Sequence, residues 1–273
     1  MSTTPQELLA AGDPAGALAA LQKQVRGNAG DVKLRIFLFQ LLALLGQWQR
    51  ALDQLKVCGD MDAGTLAMTN TYLPAVQCET VREAVFAGRA TPHVFGPPAH
   101  WVAHLAQALL FDAQGHPEQA AAERALALEE APTSAGQINE QRFDWIADAD
   151  SRLGPVLEVV INGRYGWLPF MHLSHISIEP VADLRDLVWA PAHLTFTSGG
   201  DTVALLPVRY AGSTNVADAT LQMSRKTDWL PLAADQYRGL GQRVLATDAT
   251  ELGLLEVRQI KLDPLPSDAT SAP

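Results

Sequence analysis

The chain has 273 residues, of which 48% are hydrophobic and 18% are charged, and its formal net charge is −10 at pH 7. A chain of this length and composition buries the core of one large domain or of two modest ones, which excludes a disordered polymer. Its excess of carboxylates gives no electrostatic footprint for a phosphate backbone. Nucleic acid is therefore a poor partner, and a basic or amphipathic protein segment is a better one.

The sequence shows no sign of a membrane or secreted protein. No stretch approaches the roughly 18 uncharged apolar residues of a membrane span. The first residues, MSTTPQELLAAGD, have neither a basic leader nor a continuous apolar run, so no secretory signal is predicted. The two cysteines, Cys58 and Cys78, match no zinc or redox spacing and fit a reducing compartment. We therefore expect a cytoplasmic protein without a membrane partner.

The first half of the chain repeats a helix-turn-helix pattern. Four residues recur 34 positions later, which is the length of a tetratricopeptide unit. The matching positions are Gly12 and Gly46, Ala17 and Ala51, Leu18 and Leu52, and Leu21 and Leu55. Gly115 and Ala120 repeat the glycine-to-alanine spacing before a helix that runs to Glu130. Such units stack into scaffolds that bind other proteins.

The repeat pattern decays between residues 60 and 100. A helix over residues 81–87 occupies the slot of a further unit, but no glycine marks its turn, and residues 88–98 are rich in glycine and proline. We therefore predict a degenerate repeat that ends in a loop. Residues 137–150 are predicted as one more helix, because their apolar residues supply one helix surface.

After Gly154-Pro155 the hydrophobic residues alternate with a period of two, which predicts strands. The predicted strands cover residues 157–161, 176–178, 187–197, 202–210 and 254–262. Asn162-Gly163 and Gly199-Gly200 suit hairpin turns, and residues 215–250 are predicted as a short helix with loops.

The predicted fold class is therefore multidomain, α and α+β. A tetratricopeptide-like α-helical repeat domain is expected at residues 1–150. A smaller α+β domain with an antiparallel sheet follows at residues 153–263, and residues 264–273 form a flexible tail.

Few residues point to chemistry. His100 and His104 share a helix face but lack the further ligand and general base of a metal site, so ordinary histidines are the favoured interpretation. His172 and His175, with Glu179 nearby, are expected on opposite faces of a strand, which again disfavours a metal site. The sequence has neither a Gly-x-Ser-x-Gly elbow nor a Gly-x4-Gly-Lys-Ser/Thr phosphate loop. We therefore predict no catalytic residue, no metal site and no cofactor.

Three Trp-x-Pro motifs begin at Trp167, Trp189 and Trp229. One interpretation is an aromatic surface that grips a peptide. The favoured one is that the large rings fill a small β core while each proline lies at a strand edge.

Five ordered segments of the second half resemble the ImpE, SciE or TagJ accessory proteins of bacterial type VI secretion. These segments are residues 162–170, 179–180, 184–191, 205–210 and 241–248. The helical first half fits the same family. The signature positions, for which we expect a structural or interaction role, are Arg164, Trp167, Pro169, Phe170, Arg185, Asp186, Trp189, Pro191, Arg209, Tyr210, Trp229, Gln242 and Arg243.

The resemblance implies a cytoplasmic, non-enzymatic adaptor. Its partner would be the N-terminal helix of the small contractile-sheath subunit, and it would link the sheath to the AAA+ unfoldase that recycles it. Stacked helix pairs offer a groove for such a helix. We hypothesise that acidic residues frame this groove, namely Asp53, Asp60, Asp62, Glu79 and Glu83. The sequence carries no signal for a particular oligomeric state.

Two alternatives remain. One is an enzyme or ligand-binding protein with a site in the β domain around Arg164, His172, His175 and Arg185. The other is a general tetratricopeptide co-chaperone, which would grip C-terminal carboxylates with basic groove residues. The candidates for that role are Lys23, Arg26, Lys33 and Arg35.

Overall fold

The structure is a computed structural model and describes residues 3–265 of the chain. Helices fill the first part of this range. They are α1 (Pro5–Ala10), α2 (Pro14–Gly27), α3 (Val32–Leu44), α4 (Trp48–Met61), α5 (Leu66–Phe86), α6 (His100–Ala113) and α7 (Pro117–Glu130). Asp31 begins α3 as its N-cap, because its carboxylate accepts the N–H of Lys33 at 2.9 Å. No helix in the described range is both long enough and apolar enough to cross a membrane.

Three helix pairs confirm the tetratricopeptide-like repeat. The pairs α1–α2, α3–α4 and α6–α7 each turn at a glycine with positive φ. These glycines are Gly12, Gly46 and Gly115. The helices α3, α5 and α6 begin at Val32, Leu66 and His100, which are successively 34 residues apart. The register of the repeat therefore continues through the helical part.

The slot between residues 60 and 100 contains one helix where the other units have two. Helix α5 runs unbroken for 21 residues, because Thr80 lies 34 positions after Gly46, where a glycine would turn the chain. The helix predicted over residues 81–87 is the last part of α5, and residues 87–99 form the expected loop. The degenerate unit thus keeps its first helix and lacks its second.

The remaining described residues form strands with one short helix, α8 (Ala219–Gln222). The strands are β1 (Gly136–Ile138), β2 (Gln141–Phe143), β3 (Ile146–Asp148), β4 (Val156–Ile161), β5 (Arg164–Pro169), β6 (Leu173–Ile178), β7 (Trp189–Phe196), β8 (Asp201–Pro207), β9 (Thr227–Pro231), β10 (Tyr237–Gly241), β11 (Val244–Thr247), β12 (Glu251–Gly253) and β13 (Gln259–Leu262). An eight-stranded antiparallel sheet has the order β2-β1-β13-β6-β7-β8-β4-β5. A three-stranded sheet, β12-β11-β3, and the hairpin β9–β10 accompany it. The predicted antiparallel sheet is confirmed.

The predicted helix over residues 137–150 is wrong. These residues form β1, β2 and β3, and Asn139 and Glu140 have positive φ angles of 44° and 74°, which end any helix. The strands pair with distant partners, since β1 lies against β13 and β3 against β11. The apolar spacing of the segment carries no information about those partners.

Two further expectations need correction. Residues 215–250 contain β9, β10 and β11 in addition to the expected short helix. The last strand begins at Gln259, because Leu254–Glu256 form a 3-10 turn. Of the predicted tail, residues 266–273 lie outside the described residues. Helix ends at Glu130 and strand begins at Gly136, so residues before the proposed boundary at 150 join the sheets, and the division into two domains stays a prediction.

Strand β4 of the eight-stranded sheet is buried on both faces. Along β4, Leu157, Val159 and Ile161 pack into a core formed by the strands. Val156 and Val160 point the other way and join a core shared with the helices. The period-two alternation therefore gives the sheet one side for the strands and one side for the helices. Glu158 lies on the helix-facing side, between the two valines.

Candidate functional site

Most signature positions lie inside the interface between helices and sheet. Among the thirteen, Arg164 is exposed, four are partly buried and eight are buried. The partly buried ones are Arg185, Pro191, Trp229 and Gln242. Trp167 and Trp189 are fully enclosed in the core that helices and strands share, and Trp229 packs on the ring of Tyr210 with centroids 5.6 Å apart. The interpretation of the Trp-x-Pro rings as core is confirmed for the first two, although their core is shared with the helices and is not formed by strands alone. The expectation that each proline lies at a strand edge is wrong for Pro191, which lies inside β7 and pairs with Leu205 of β8.

A buried carboxylate, Glu158, lies at the centre of this interface. Arg82 of α5 donates to it from Nε at 2.8 Å and from Nη2 at 2.9 Å, a bidentate pair. Arg243 bonds to the same carboxylate from the strand side. The hydroxyl of Tyr165 donates to it at 2.5 Å, and Trp167 donates its indole N–H to that hydroxyl at 3.0 Å. Glu158 therefore ties α5 to β4, β5 and the segment before β11.

Eight charged side chains make up this central charge cluster, with four carboxylates matched by four guanidiniums. Its members are Glu79, Arg82, Asp148, Asp150, Arg152, Glu158, Arg209 and Arg243, each at most 5% exposed. Asp148 bonds to Arg243, and Asp150 holds Arg152 at 2.9 and 2.6 Å. A buried charge is tolerated when it is paired and hydrogen-bonded. The equal numbers of the two signs satisfy that condition.

Further contacts join the β half to the helices. The indole N–H of Trp189 donates to Glu79 of α5 at 2.8 Å. Arg209 donates to the carbonyl of Leu44 at the end of α3, at 2.5 Å, and to that of Gln222 at the end of α8, at 2.6 Å. A cation is favourable at a helix C-terminus, where carbonyls lack partners and the helix dipole is negative. Arg209 therefore caps two helices at once.

Burial and neighbouring charges shift the pKa values of groups in the cluster. Burial raises the pKa of Glu158, but Arg82 and Arg243 outweigh it and lower the pKa to about 2. Burial raises the pKa of Asp148 to about 6, against the attraction of Arg243. Burial lowers the pKa of the Arg209 guanidinium to about 10. Glu158 is thus firmly ionised at neutral pH, whereas the pKa of Asp148 lies much closer to neutrality.

The cluster is arranged to hold structure. Its groups bond to one another and to backbone carbonyls, and aromatic rings cover them: Arg152 lies 4.7 Å from the ring centre of Phe86. The cavity beside it, lined by Trp48, Glu83 and Arg209 among others, has a volume of about 20 Å³, which is room for one water molecule. The geometry therefore joins two halves of the chain and leaves little space for a substrate.

Within the described residues, no hydrogen bond or ion pair joins any two of the four residues of the enzyme hypothesis. Arg164 is exposed at the start of β5, and His172 contacts the carbonyl of Pro97 at 3.2 Å. His175 lies in β6, and Arg185 lies over the ring of Tyr72. None of the four lines the clefts of about 460 and 450 Å³ beside α7 and α5. These contacts give no support for a site that the four residues share.

The histidine pair on α6 also has an ordinary explanation. His104 bonds to Glu123 of α7 at 2.5 Å, and His100 is exposed at the first turn. Among residues 3–265, no three His, Cys, Asp or Glu side chains are grouped so as to hold a metal ion.

The face of the helices that was expected to form a partner groove is covered by the chain itself. Every residue of α3 from Leu38 to Leu44 is buried, and α3 contacts the 3-10 turn Leu184–Leu187. Glu79 lies in the central charge cluster, and Glu83 accepts the indole N–H of Trp48 at 3.0 Å. Glu79 is buried, so the hypothesis that it frames an open groove is wrong, whereas Glu83 is partly exposed and its place at a groove stays a prediction. The remaining acidic candidates, Asp53, Asp60 and Asp62, are exposed.

The basic residues of the co-chaperone alternative lie around the turn between α2 and α3. Lys23, Arg26 and Lys33 are exposed. Arg35 donates to the carbonyl of Ala29 at 2.8 Å and to Gln54 at 3.2 Å. Internal contacts therefore occupy one of the four.

Comparison with known proteins gives one match in the helical part of the chain and another in the β part. A tetratricopeptide-repeat model matches residues 8–64, and the model of the ImpE protein family matches residues 140–261. The chain is 52% identical over 259 residues to the type VI secretion system accessory component TagJ of Pseudomonas aeruginosa, which spans 95% of this chain and 91% of that protein. The chain belongs to the ImpE/TagJ family. The resemblance seen in the sequence is confirmed, and the ImpE match contains all thirteen signature positions.

A solved structure shares the ImpE/TagJ fold seen here. The crystal structure of protein VPA1032 from Vibrio parahaemolyticus superimposes with a TM-score of 0.87, covering 95% of this chain and 97% of that one. The two sequences are 21% identical, so this likeness concerns the fold. Helical repeats followed by antiparallel sheets are therefore an arrangement common to both proteins.

Sequence reasoning missed the partners of the signature residues. Arg82, Asp148 and Asp150 were not singled out, and Glu79 was expected at an open groove, although all four belong to the cluster. One signal was present: Glu158 interrupts an otherwise apolar strand. A lone carboxylate in a strand buried on both faces calls for a buried cation, and this points to Arg82 or Arg243.

Proposed function

We propose that this chain is a non-enzymatic, cytoplasmic adaptor of type VI secretion. It binds the N-terminal helix of the small contractile-sheath subunit and links the sheath to the AAA+ unfoldase that recycles it. The observation that carries the proposal is the 52% identity, over nearly the whole chain, to a protein named as an accessory component of that system. Tetratricopeptide-like repeats support a protein partner, because such repeats serve as interaction scaffolds.

The charge of the molecule supports the kind of partner. A net charge of −10 favours a segment that carries lysine or arginine on its polar side. The central charge cluster supports a body of fixed shape, because it joins α5 to three separate strand segments. An adaptor of fixed shape holds two partners at a defined separation without a chemical step.

The buried surface of α3 is not accessible to a partner, so the partner must bind elsewhere on the molecule. Since residues 38–44 are buried and α3 contacts the 3-10 turn Leu184–Leu187 of the β half, a sheath helix would need an outer cleft of the molecule. Deletion of the first repeat would expose this buried surface and damage the fold, so point substitutions are the informative variants.

The test uses the purified chain with the full-length small sheath subunit and with the same subunit lacking its N-terminal helix. We expect saturable binding to the first and none to the second, measured by isothermal titration calorimetry. Addition of the unfoldase should give a ternary complex in size-exclusion chromatography. Equal binding of both sheath forms, or binding of neither, would contradict the proposal.

A further inference from the structure

One outer cleft is lined mostly by apolar side chains. It lies between the C-terminal end of α7 and the three-stranded sheet and has a volume of about 460 Å³. Ala147 of β3 and Ala246 of β11 are cross-strand partners and line the cleft together. Leu128 and Trp145 also line it. We name this the α7 cleft. Its volume is that of a site for several apolar side chains.

The side walls of the α7 cleft are large apolar groups left in water. Leu128 is 49% exposed and Trp145 is 40% exposed. Exposed tryptophan and leucine side by side are the groups that contribute most to protein interfaces when a partner covers them. Small alanines in the floor leave the room that such a partner needs.

The rim of the α7 cleft is acidic. Two carboxylates line the cleft, the exposed Glu251 and the buried Asp148. Four more exposed carboxylates lie within two residues of the lining in the sequence: Glu129, Glu130, Asp144 and Asp248. Of these, Glu130 lies 3.8 Å from His104, and Asp248 accepts the backbone N–H of Asp144 at 2.7 Å. Within the described residues, no lysine or arginine lines the cleft. Helix α7 ends at Glu130, so the negative end of its dipole lies at the same rim. The potential around the cleft is therefore negative.

We propose that the α7 cleft docks the apolar face of a basic amphipathic helix. Apolar side chains of that helix enter between Leu128 and Trp145 and rest on the alanine floor. Lysine or arginine residues beside them face the rim carboxylates, which match them in charge. The inference rests on the proposed function, because it takes the docked helix to be the N-terminal helix of the small sheath subunit.

The chain offers a matched pair of leucines for the test. Leu126 and Leu128 lie two residues apart on α7 and are 43% and 49% exposed, but Leu126 does not line the cleft. Both are substituted to alanine in the full-length chain, and Trp145→Ala is made separately. Because all three side chains are 40–49% exposed and none is in the core, the variants should keep the fold, and circular dichroism checks this.

Binding is measured by fluorescence anisotropy with a labelled peptide of the sheath N-terminal helix. We expect Trp145→Ala to raise Kd about tenfold, Leu128→Ala to raise it about fivefold, and Leu126→Ala to leave it within about twofold. Glu251→Lys should weaken binding at low salt and reduce its salt dependence, because it reverses one rim charge.

Two results would overturn the inference, and they differ in meaning. If the unaltered chain binds the peptide and Leu128→Ala and Trp145→Ala bind it equally well, the cleft is not the site, and the adaptor function stands. If the unaltered chain does not bind the peptide, the proposed function fails and the inference fails with it.

Discussion

At the scale of single residues, Glu158 shows how a buried charge is made tolerable. It lies between Val156 and Val160 on the helix-facing side of β4 and is fully buried. Arg82 and Arg243 approach it from two separate parts of the chain. The pairing gives little net stability relative to an apolar core, but loss of one partner leaves an uncompensated charge.

We therefore predict that Glu158→Gln lowers the free energy of unfolding by about 3–5 kcal/mol, because two guanidiniums lose their shared carboxylate. Urea denaturation measures the change. Asp263→Asn is the control: its ion pair with Arg142 is on the surface, so its unfolding midpoint should stay unchanged. Equal effects of the two substitutions would contradict the account of the cluster.

Asp148 gives a prediction with a definite sign. Burial raises its pKa from 3.8 to about 6, so the folded state holds a proton that the unfolded state releases. Its contribution to stability is complete below pH 3.8 and is lost as the pH rises through about 6. In Asp148→Asn this titration is absent.

The measurement compares unfolding free energies of the two proteins between about pH 4 and pH 7. Relative to Asp148→Asn, the unaltered chain should lose stability as the pH rises across this range. A difference that is constant with pH would show that Asp148 titrates normally in the folded state.

At the scale of elements, single residues decide where helices turn. Gly46 turns the chain between α3 and α4, whereas Thr80 at the equivalent place lets α5 continue. Sequence periodicity revealed the repeat and the alternating strands, because both leave a regular pattern in neighbouring residues. It failed at residues 137–150, where distant partners β11 and β13 hold short strands that carry no clear pattern of their own.

Two turn glycines provide a test at this scale. Gly46 has a φ of 67°, and a Cβ added to it would lie 2.6 Å from Cβ of Thr214. Gly115 has a φ of 78° and no atom within 4 Å of an added Cβ. Gly115→Ala should cost about 1–2 kcal/mol for its left-handed backbone alone. Gly46→Ala should cost clearly more in thermal denaturation, because the clash adds to the strain. Equal losses would mean that the β half does not press against this turn.

At the scale of the whole molecule, several of the residues that the sequence singled out join the helices to the strands, namely Trp167, Trp189, Arg209 and Arg243. The sequence allowed prediction of the family, of helical repeats before an antiparallel sheet, and of Trp167 and Trp189 as core. It did not show that Arg209 caps the C-terminal end of α3. Nor did it show that Arg243 binds Glu158, the carboxylate that Arg82 also binds. Those contacts join residues 85 to 165 positions apart, and no local pattern encodes such pairs.

The interface between the helices and the strands leads us to predict that the helical and β parts unfold together. A shared core and a neutral cluster of eight buried charges leave neither part its own complete interior.

The decisive measurement is equilibrium urea unfolding of the full chain, followed by far-ultraviolet circular dichroism for the helices and by tryptophan fluorescence for the interface. The account predicts one transition with coincident midpoints in both signals, and a calorimetric enthalpy equal to the van't Hoff enthalpy. Two separated transitions, with the helices and the interface melting at different urea concentrations, would contradict it.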